Sequence, residues 1–96
     1  MENSKNYHDE QNNLNTLKMR EVVSTLPSFS KQFFRGIQEY TSSRTRLAYA
    51  YDLRVFFEFI HSNNSACAKM DIVDFPISIL DQIAREDIEE YLDYIT

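Results

Sequence analysis

A chain of 96 residues with a single Cys can form one small domain without an intrachain disulfide, and an active site with its own supporting side chains would be a tight fit. Its 43% hydrophobic and 14% aromatic residues exclude wholesale disorder, while one Gly and two Pro disfavour an all-β chain rich in tight turns. No apolar run suits a membrane span or a signal peptide, so we expect a cytoplasmic protein, and the net charge of −5 argues against nucleic acid as a partner.

The acidic total hides an asymmetry along the chain. Residues 31–70 contain six Lys and Arg against three Asp and Glu, whereas residues 71–96 contain one Arg against eight Asp and Glu. A basic middle and an acidic end are expected to form different surfaces that meet different partners.

The chain is expected to begin with a tail and a first helix. Residues 1–13 are polar and lack apolar periodicity, which is typical of a flexible tail ahead of a helical domain at 14–96. From residue 14 to residue 26 the apolar side chains fall roughly on one side of a helix, and Pro27 ends that pattern. This first helix is therefore short and only weakly amphipathic.

Two further helices are predicted in the middle of the chain. Ser28 can cap a helix that carries the paired aromatics Phe33 and Phe34. Ser42 is the best cap for the strongest helix, which should run from residue 43 to about residue 62. Its expected buried stripe repeats at spacings of four, three and four, as Tyr49, Leu53, Phe56 and Ile60.

An irregular segment and a last helix complete the predicted elements. The pair Phe75-Pro76 requires an extended backbone at the residue before the proline. A last helix is expected from about residue 85 to residue 95, with acidic residues in its first turn, where the helix dipole favours them. Its apolar residues are Ile88, Leu92 and Ile95, with Tyr91 beside them. Together these elements predict an all-α domain, a small orthogonal bundle of three to five helices.

Basic residues cluster around the start of the long predicted helix. Arg44 and Arg46 can flank the helix end, where free backbone N–H groups and the dipole favour a phosphate. The hydroxyls of Ser43 and Thr45 would add short donors. The other interpretation is an ordinary cap and first turn with solvated arginines.

The same segment carries a resemblance to a known family. Residues 42–60 read S-S-R-T-R-L-A-Y-A-Y-D-L-R-V-F-F-E-F-I and resemble the second helix of the core-binding, SAM-like domain of tyrosine recombinases, the phage-integrase family. The matching positions are Ser42, Thr45, Tyr49, Asp52, Leu53, Phe56 and Phe59. A short helix with paired aromatics precedes this helix in the family, and an acidic helix start follows it. The resemblance covers about residues 29–95.

The chain departs from the family pattern in three ways. Ala84 stands where a Thr or Ser cap is usual, which should cost about 1 kcal/mol of helix stability. The loop at residues 63–83 is longer than is typical. The sequence stops at Thr96, before the helix that usually completes this domain, so we expect a truncated domain.

The resemblance implies a DNA-binding module of a site-specific recombinase. Such a module holds double-stranded DNA at the recombination site for a catalytic domain, and none of the family's catalytic residues can be assigned here. We therefore expect no enzyme activity, no cofactor and no metal on this chain. The residues that the resemblance implies for DNA contact are Ser43, Arg44, Thr45 and Arg46, with Arg54 and Lys31 at the rim. The acidic last helix would face other recombinase subunits or the catalytic domain.

A different class of function stays open alongside this one. A helical protein–protein interaction module without a DNA role is favoured by the net charge of −5, the acidic last helix and the many aromatics. A DNA module needs Lys31, Arg44 and Arg46 exposed on one patch, whereas an interaction module needs a contiguous exposed apolar patch. A small enzyme has no supporting constellation, since His61 and Cys67 match no standard zinc spacing.

Overall fold

Four α-helices form in the part of the chain that a computed structural model describes, residues 2–83 and 85–95. They are α1 (Glu2–Val23), α2 (Ser30–Gly36), α3 (Ser43–Asn63) and α4 (Arg85–Ile95). Three short 3-10 helices, at Cys67–Lys69, Ile72–Asp74 and Ile77–Gln82, connect α3 to α4. The described residues form no strand, so the predicted all-α fold with three to five helices is confirmed. Ala84, the predicted cap position of the last helix, lies outside the described residues.

Helix α1 is longer than the sequence pattern predicted. It begins at Glu2, so residues 2–13 are helical where a flexible tail was expected. No Gly or Pro interrupts this stretch, and its Asn, Gln, Glu and Lys residues are compatible with a helix although they produce no apolar period. Asn12 and Asn15 also bind α3 through hydrogen bonds, which stabilise the polar part of α1 by tertiary contact.

The hydrophobic core forms around α3. Helix α1 packs along it, and the 3-10 segment and α4 cover other sides of it. The buried apolar residues of the core are Val22, Val23, Leu26, Phe34, Ala50, Phe57, Ile60, Cys67, Phe75 and Ile79. Every element except α4 contributes a buried core residue or a half-buried residue packed against the core. Since these elements surround α3, α3 is the central helix, as the sequence predicted.

The buried face of α3 differs from the predicted stripe. Only Ile60 of the four predicted residues is buried, and Tyr49 lies 42% exposed. The face that packs inward instead carries Ser43, Ala50 and Phe57, which repeat every seven residues. A buried Ala and a buried Ser contribute little to an apolar pattern. The prediction therefore placed the large Tyr49 in the buried stripe, whereas the structure buries the neighbouring Ala50.

Helix α4 docks on α3 through aromatic side chains. The ring of Tyr91 lies 5.0 Å from that of Phe56 and 5.5 Å from that of Phe59, both edge to face. Tyr94 lies 5.1 Å from Phe59, and the Asn64 amide donates to Asp87 Oδ2 at 3.0 Å. The aliphatic residues of α4, Ile88, Leu92 and Ile95, are each about half exposed. The ring contacts between α4 and α3 come from Tyr91, which the sequence placed beside that set, and from Tyr94.

The segment between α3 and α4 is anchored at two points. Asn64 Oδ1 accepts hydrogen bonds from the backbone N–H groups of Ala66 and Cys67, which starts the first 3-10 helix. Phe75 is buried against Phe57, with ring centroids 6.2 Å apart. Its backbone, with φ −59° and ψ 121°, lies outside the helical region, which the following proline disfavours.

Cys67 provides a test of how tightly this segment is closed. Its side chain is fully buried, and burial, followed by the carboxylate of Asp87, raises the pKa of the thiol. We expect the folded protein to react with a thiol reagent at about pH 8 at least a hundredfold more slowly than the unfolded chain, since reaction requires an opening of the segment. Labelling at the rate of a free thiol would contradict this packing.

The same thiol should make stability fall at alkaline pH. Below the ordinary thiol pKa of 9.0 both states keep the proton, and the free energy of unfolding is unaffected. Above it the unfolded chain ionises first, so unfolding becomes easier as the pH rises. Burial also raises the pKa of Tyr91 above its ordinary value of 10.0, with smaller effects of Asp52 and Tyr94, and adds a second loss there. In urea titrations, a Cys67→Ala variant should not show the loss of stability linked to the thiol and should still show the loss linked to Tyr91.

Candidate nucleic-acid interface

The start of α3 is a capped helix end. Ser42 has an extended backbone, and its Oγ accepts a hydrogen bond from the Thr45 N–H at 3.1 Å, as predicted. The Ser42 hydroxyl also donates to Thr45 Oγ1 at 3.0 Å. One backbone donor of the helix end is therefore satisfied by the chain itself, and the half-buried Thr45 belongs to the cap.

Ser43 faces the inside of the protein and not an external ligand. The residue is 7% exposed, and its hydroxyl donates to Asn12 Oδ1 at 2.9 Å. It also accepts a hydrogen bond from Asn15 Nδ2 at 3.3 Å, while Gln11 Nε2 donates to Asn15 Oδ1 at 3.1 Å. The only O–H donor of Ser43 is thus used between α1 and α3, which corrects the prediction that this residue approaches a phosphate.

Arg46 holds the turn that follows α2. Its Nη1 donates to the backbone carbonyl of Gln38 at 3.0 Å, to the carbonyl of Thr41 and to Thr41 Oγ1 at 3.2 Å. The Thr41 hydroxyl in turn donates to the carbonyl of Ile37 at 2.7 Å. Arg46 therefore has a structural role that the sequence did not indicate, because its partners are backbone carbonyls of another element.

The other predicted basic residues lie on different parts of the surface. Arg44 and Lys31 are exposed, on α3 and α2 respectively. Arg54 is half-buried, and its guanidinium carbon lies 5.2 Å from the ring centroid of Tyr51 in a cation–π contact. The structure brings Lys31 and Arg46 to one cleft, whereas Arg44 and Arg54 do not line it.

This cleft, called the basic cleft below, lies between α1 and α2 beside the start of α3 and has a volume of about 490 Å³. Its lining residues are Thr16, Met19, Arg20, Val23, Ser24, Lys31, Phe34, Arg35, Gln38 and Arg46. Four of them are basic and none is acidic. The apolar residues Val23 and Phe34 are almost fully buried, so they form its floor. Such a concave, positively charged site attracts anions.

Two of the four cations in the basic cleft were missed by the sequence analysis. Arg20 lies four residues after Thr16 on α1 and four before Ser24, which follows the end of that helix, and Arg35 follows Lys31 by four residues on α2. The spacing of Lys31 and Arg35 is a local signal that could have indicated a shared helix face. Arg20 could not have been found in this way, because nothing local shows that α1 packs beside α2.

Other kinds of site find little support in the described part of the chain. It holds no group of three or more His, Cys, Asp and Glu side chains that could bind a metal ion. None of its helices is long and apolar enough to span a membrane. Comparison of the chain with models of protein families, with curated proteins and with solved structures finds no match.

Proposed function

We propose that this chain is the double-stranded DNA-binding module of a site-specific tyrosine recombinase and holds the recombination site for a catalytic domain elsewhere. The observation that carries the proposal is the convergence of basic side chains from α1, α2 and α3 around one cleft. These residues are far apart in sequence, so the fold concentrates a charge that the acidic total conceals. Positive charge in one region is what a phosphate backbone requires.

The position of the acidic residues is compatible with this function. Eight of the 15 Asp and Glu lie in residues 71–96, which form the 3-10 segment and α4. The basic cleft is lined by α1, α2, the first turn of α3 and the residues Ser24 and Gln38 just after α1 and α2. Because exposed charges more than about 10 Å apart are largely screened at ordinary salt, an acidic α4 does not prevent a separate basic surface from binding DNA.

Arg44 extends the basic surface beyond the cleft. It is exposed in the first turn of α3, two residues from Arg46, which lines the cleft. Because the two residues lie about 200° apart around the helix, Arg44 offers a phosphate contact on the other side of the helix start from the cleft. With Lys31 it is one of the two predicted DNA contacts that the structure leaves exposed.

Fluorescence anisotropy with a labelled duplex tests the proposal. We expect a dissociation constant of about 10⁻⁴–10⁻⁶ M that weakens roughly 40- to 150-fold between about 50 and 200 mM salt, the range for three or four phosphate contacts. An Arg44→Gln variant should weaken binding and reduce the slope of log K against log salt by about one. A Lys69→Gln variant, which removes an exposed cation from the 3-10 segment, is the matched control and should change neither. Absence of binding at the lower salt concentration would refute a DNA function for this chain.

A protein–protein interaction module is the second candidate. It is favoured by Ile88 and Ile95, which lie about half exposed on α4 among acidic residues. An Ile88→Asn variant separates the two candidates, since it should leave DNA affinity unchanged if α1, α2 and α3 form the interface. A loss of DNA affinity in this variant comparable to that of Arg44→Gln would place the interface at α4.

A further inference from the structure

We propose that the basic cleft is a binding site for one phosphoryl group carried on a sugar or a similar carbon skeleton. In the proposed function this group is a phosphodiester of the bound DNA, and that identity rests on the proposed function. The assignment of the site does not depend on DNA binding, because the charge, shape and lining of the cleft favour any phosphate ester. The alternative source is a free phosphorylated small molecule.

The charge of the cleft is not explained by helix stability alone. Arg20 and Arg35 lie in the last turns of α1 and α2, where the dipole favours cations. Lys31, however, lies in the first turn of α2, where the dipole disfavours a cation, and four residues before Arg35, where a like charge is unfavourable. An anion in the cleft would relieve this repulsion, so Lys31 is the residue whose position indicates a ligand most directly.

Apart from the side-chain amide of Gln38, the donors available in the cleft are charged ones. The hydroxyl of Thr16 donates to the carbonyl of Asn12 at 2.8 Å, and that of Ser24 donates to the carbonyl of Glu21 at 2.6 Å. Both O–H groups are therefore used inside α1 and its end. Recognition falls to guanidinium and ammonium groups, whose hydrogen bonds to oxyanions are shorter and stronger than neutral ones, and Arg presents a fork that fits phosphate oxygens.

Arg46 gives the cleft one fixed cation. All three of its hydrogen bonds to Gln38 and Thr41 use Nη1. They hold the side chain in place without using Nη2 or Nε. A guanidinium that is already ordered loses less conformational entropy when an anion binds, which increases affinity.

The size and floor of the cleft favour an ester over a bare ion. Its volume of about 490 Å³ falls within the range of roughly 300–1,000 Å³ typical of sites for small organic ligands. Met19 is half-buried and presents apolar surface beside the cations, whereas Val23 and Phe34 are almost fully buried. A sugar carbon face can cover that surface while its phosphate meets the cations, so ribose 5-phosphate should bind more tightly than inorganic phosphate.

NMR of the arginine side-chain N–H groups, with the intact chain, tests the site directly. Titration with a duplex and separately with ribose 5-phosphate should produce saturable shifts of the Nε–H signals of Arg20 and Arg35. In the variant Arg20→Gln/Arg35→Gln the anisotropy assay should show at least about a tenfold loss of DNA affinity and a salt slope lower by about one. Lys69→Gln, which removes an exposed cation from the 3-10 segment, is the matched control and should retain DNA affinity.

A second variant covers the case in which the double variant does not fold. Lys31→Gln should keep or slightly raise the thermal midpoint in buffer without phosphate, because it removes like-charge repulsion. It should nevertheless weaken binding of the duplex and of ribose 5-phosphate. A Lys31→Gln protein with a lowered midpoint and unchanged affinity would overturn the site.

The outcomes separate this inference from the proposed function. If the duplex binds but neither the double variant nor Lys31→Gln changes its affinity, the cleft is not a phosphate site, although the DNA function stands. If the duplex does not bind the wild-type chain, the DNA function fails. Saturable shifts of Arg20 and Arg35 with ribose 5-phosphate would then support the cleft as a site for a free phosphorylated molecule, and their absence would refute it.

Discussion

Replacement of Phe57 with Ala should lower the free energy of unfolding by about 3–5 kcal/mol, the cost of removing a large buried aromatic side chain. Phe57 is 3% exposed and lies at the centre of the core. Its ring contacts those of Phe29, Phe56 and Phe75 edge to face, with centroid distances of 6.1, 5.4 and 6.2 Å. One substitution therefore weakens the packing of the segment before α2 and of the 3-10 segment on α3 at the same time.

Urea unfolding followed by circular dichroism measures this effect. A domain of this size is typically stable by about 5–15 kcal/mol, so the variant should lose a large fraction of its free energy of unfolding and its urea midpoint should fall. Phe33→Ala is the matched control, because Phe33 is 46% exposed and its removal should cost less than about 1 kcal/mol. Equal losses for the two variants would mean that the core is not centred on Phe57.

Local signals predicted part of the helical structure. The cap at Ser42, the central α3 and the non-helical backbone at Phe75 follow from short-range rules, and all three are present in the structure. The cap predicted at Ser28 is not formed, because α2 begins at Ser30 after Phe29, without a side-chain cap hydrogen bond. These rules depend on neighbours within a few residues. They apply before any tertiary contact forms, which is why a single sequence is sufficient to predict them.

The faces of the helices were predicted less well. Ala50 is fully buried on α3, whereas Tyr49 beside it is 42% exposed. An apolar pattern gives the larger residue more weight, but a buried helix face also needs small side chains where another backbone approaches. The polar part of α1 was missed for a related reason, since Asn12 and Asn15 are held by Ser43 on a distant part of the chain.

The candidate site depended even more on tertiary structure. Ser43 and Arg46 were predicted as DNA contacts because a hydroxyl and a guanidinium near a helix start are suitable ligands for phosphate. The structure gives both of them partners within the chain, at Asn12 and Gln38. Arg20 was overlooked because its neighbours in the cleft come from α2 and α3. The sequence indicated which kinds of residue to expect at the site, but it did not indicate which residues come together in the basic cleft.

Arg46→Ala should lower the free energy of unfolding by about 1–2 kcal/mol, whereas Arg44→Ala should change it by less than about 0.5 kcal/mol. Both arginines lie in the first turn of α3 and both were predicted to contact DNA. Only Arg46 donates to the carbonyls of Gln38 and Thr41, and its loss leaves those acceptors without their charged donor. Solvent can replace part of this interaction because the site is partly exposed, so the expected cost is less than that of a fully buried group.

The two variants should separate again in the anisotropy assay. Arg44→Ala removes an exposed cation from a stable protein, so its affinity for DNA should fall while its urea midpoint stays unchanged. Arg46→Ala should shift the urea midpoint, and its DNA affinity has to be compared at a temperature where both proteins are fully folded. Arg46→Lys distinguishes charge from geometry, because an ammonium keeps the charge in the cleft but cannot reproduce the planar fork. If Arg46→Lys restores DNA affinity but not stability, Arg46 serves the fold through its hydrogen bonds and the cleft through its charge. The opposite pattern, with Arg44 stabilising the fold and Arg46 dispensable to it, would contradict the assignment of the turn after α2 to Arg46.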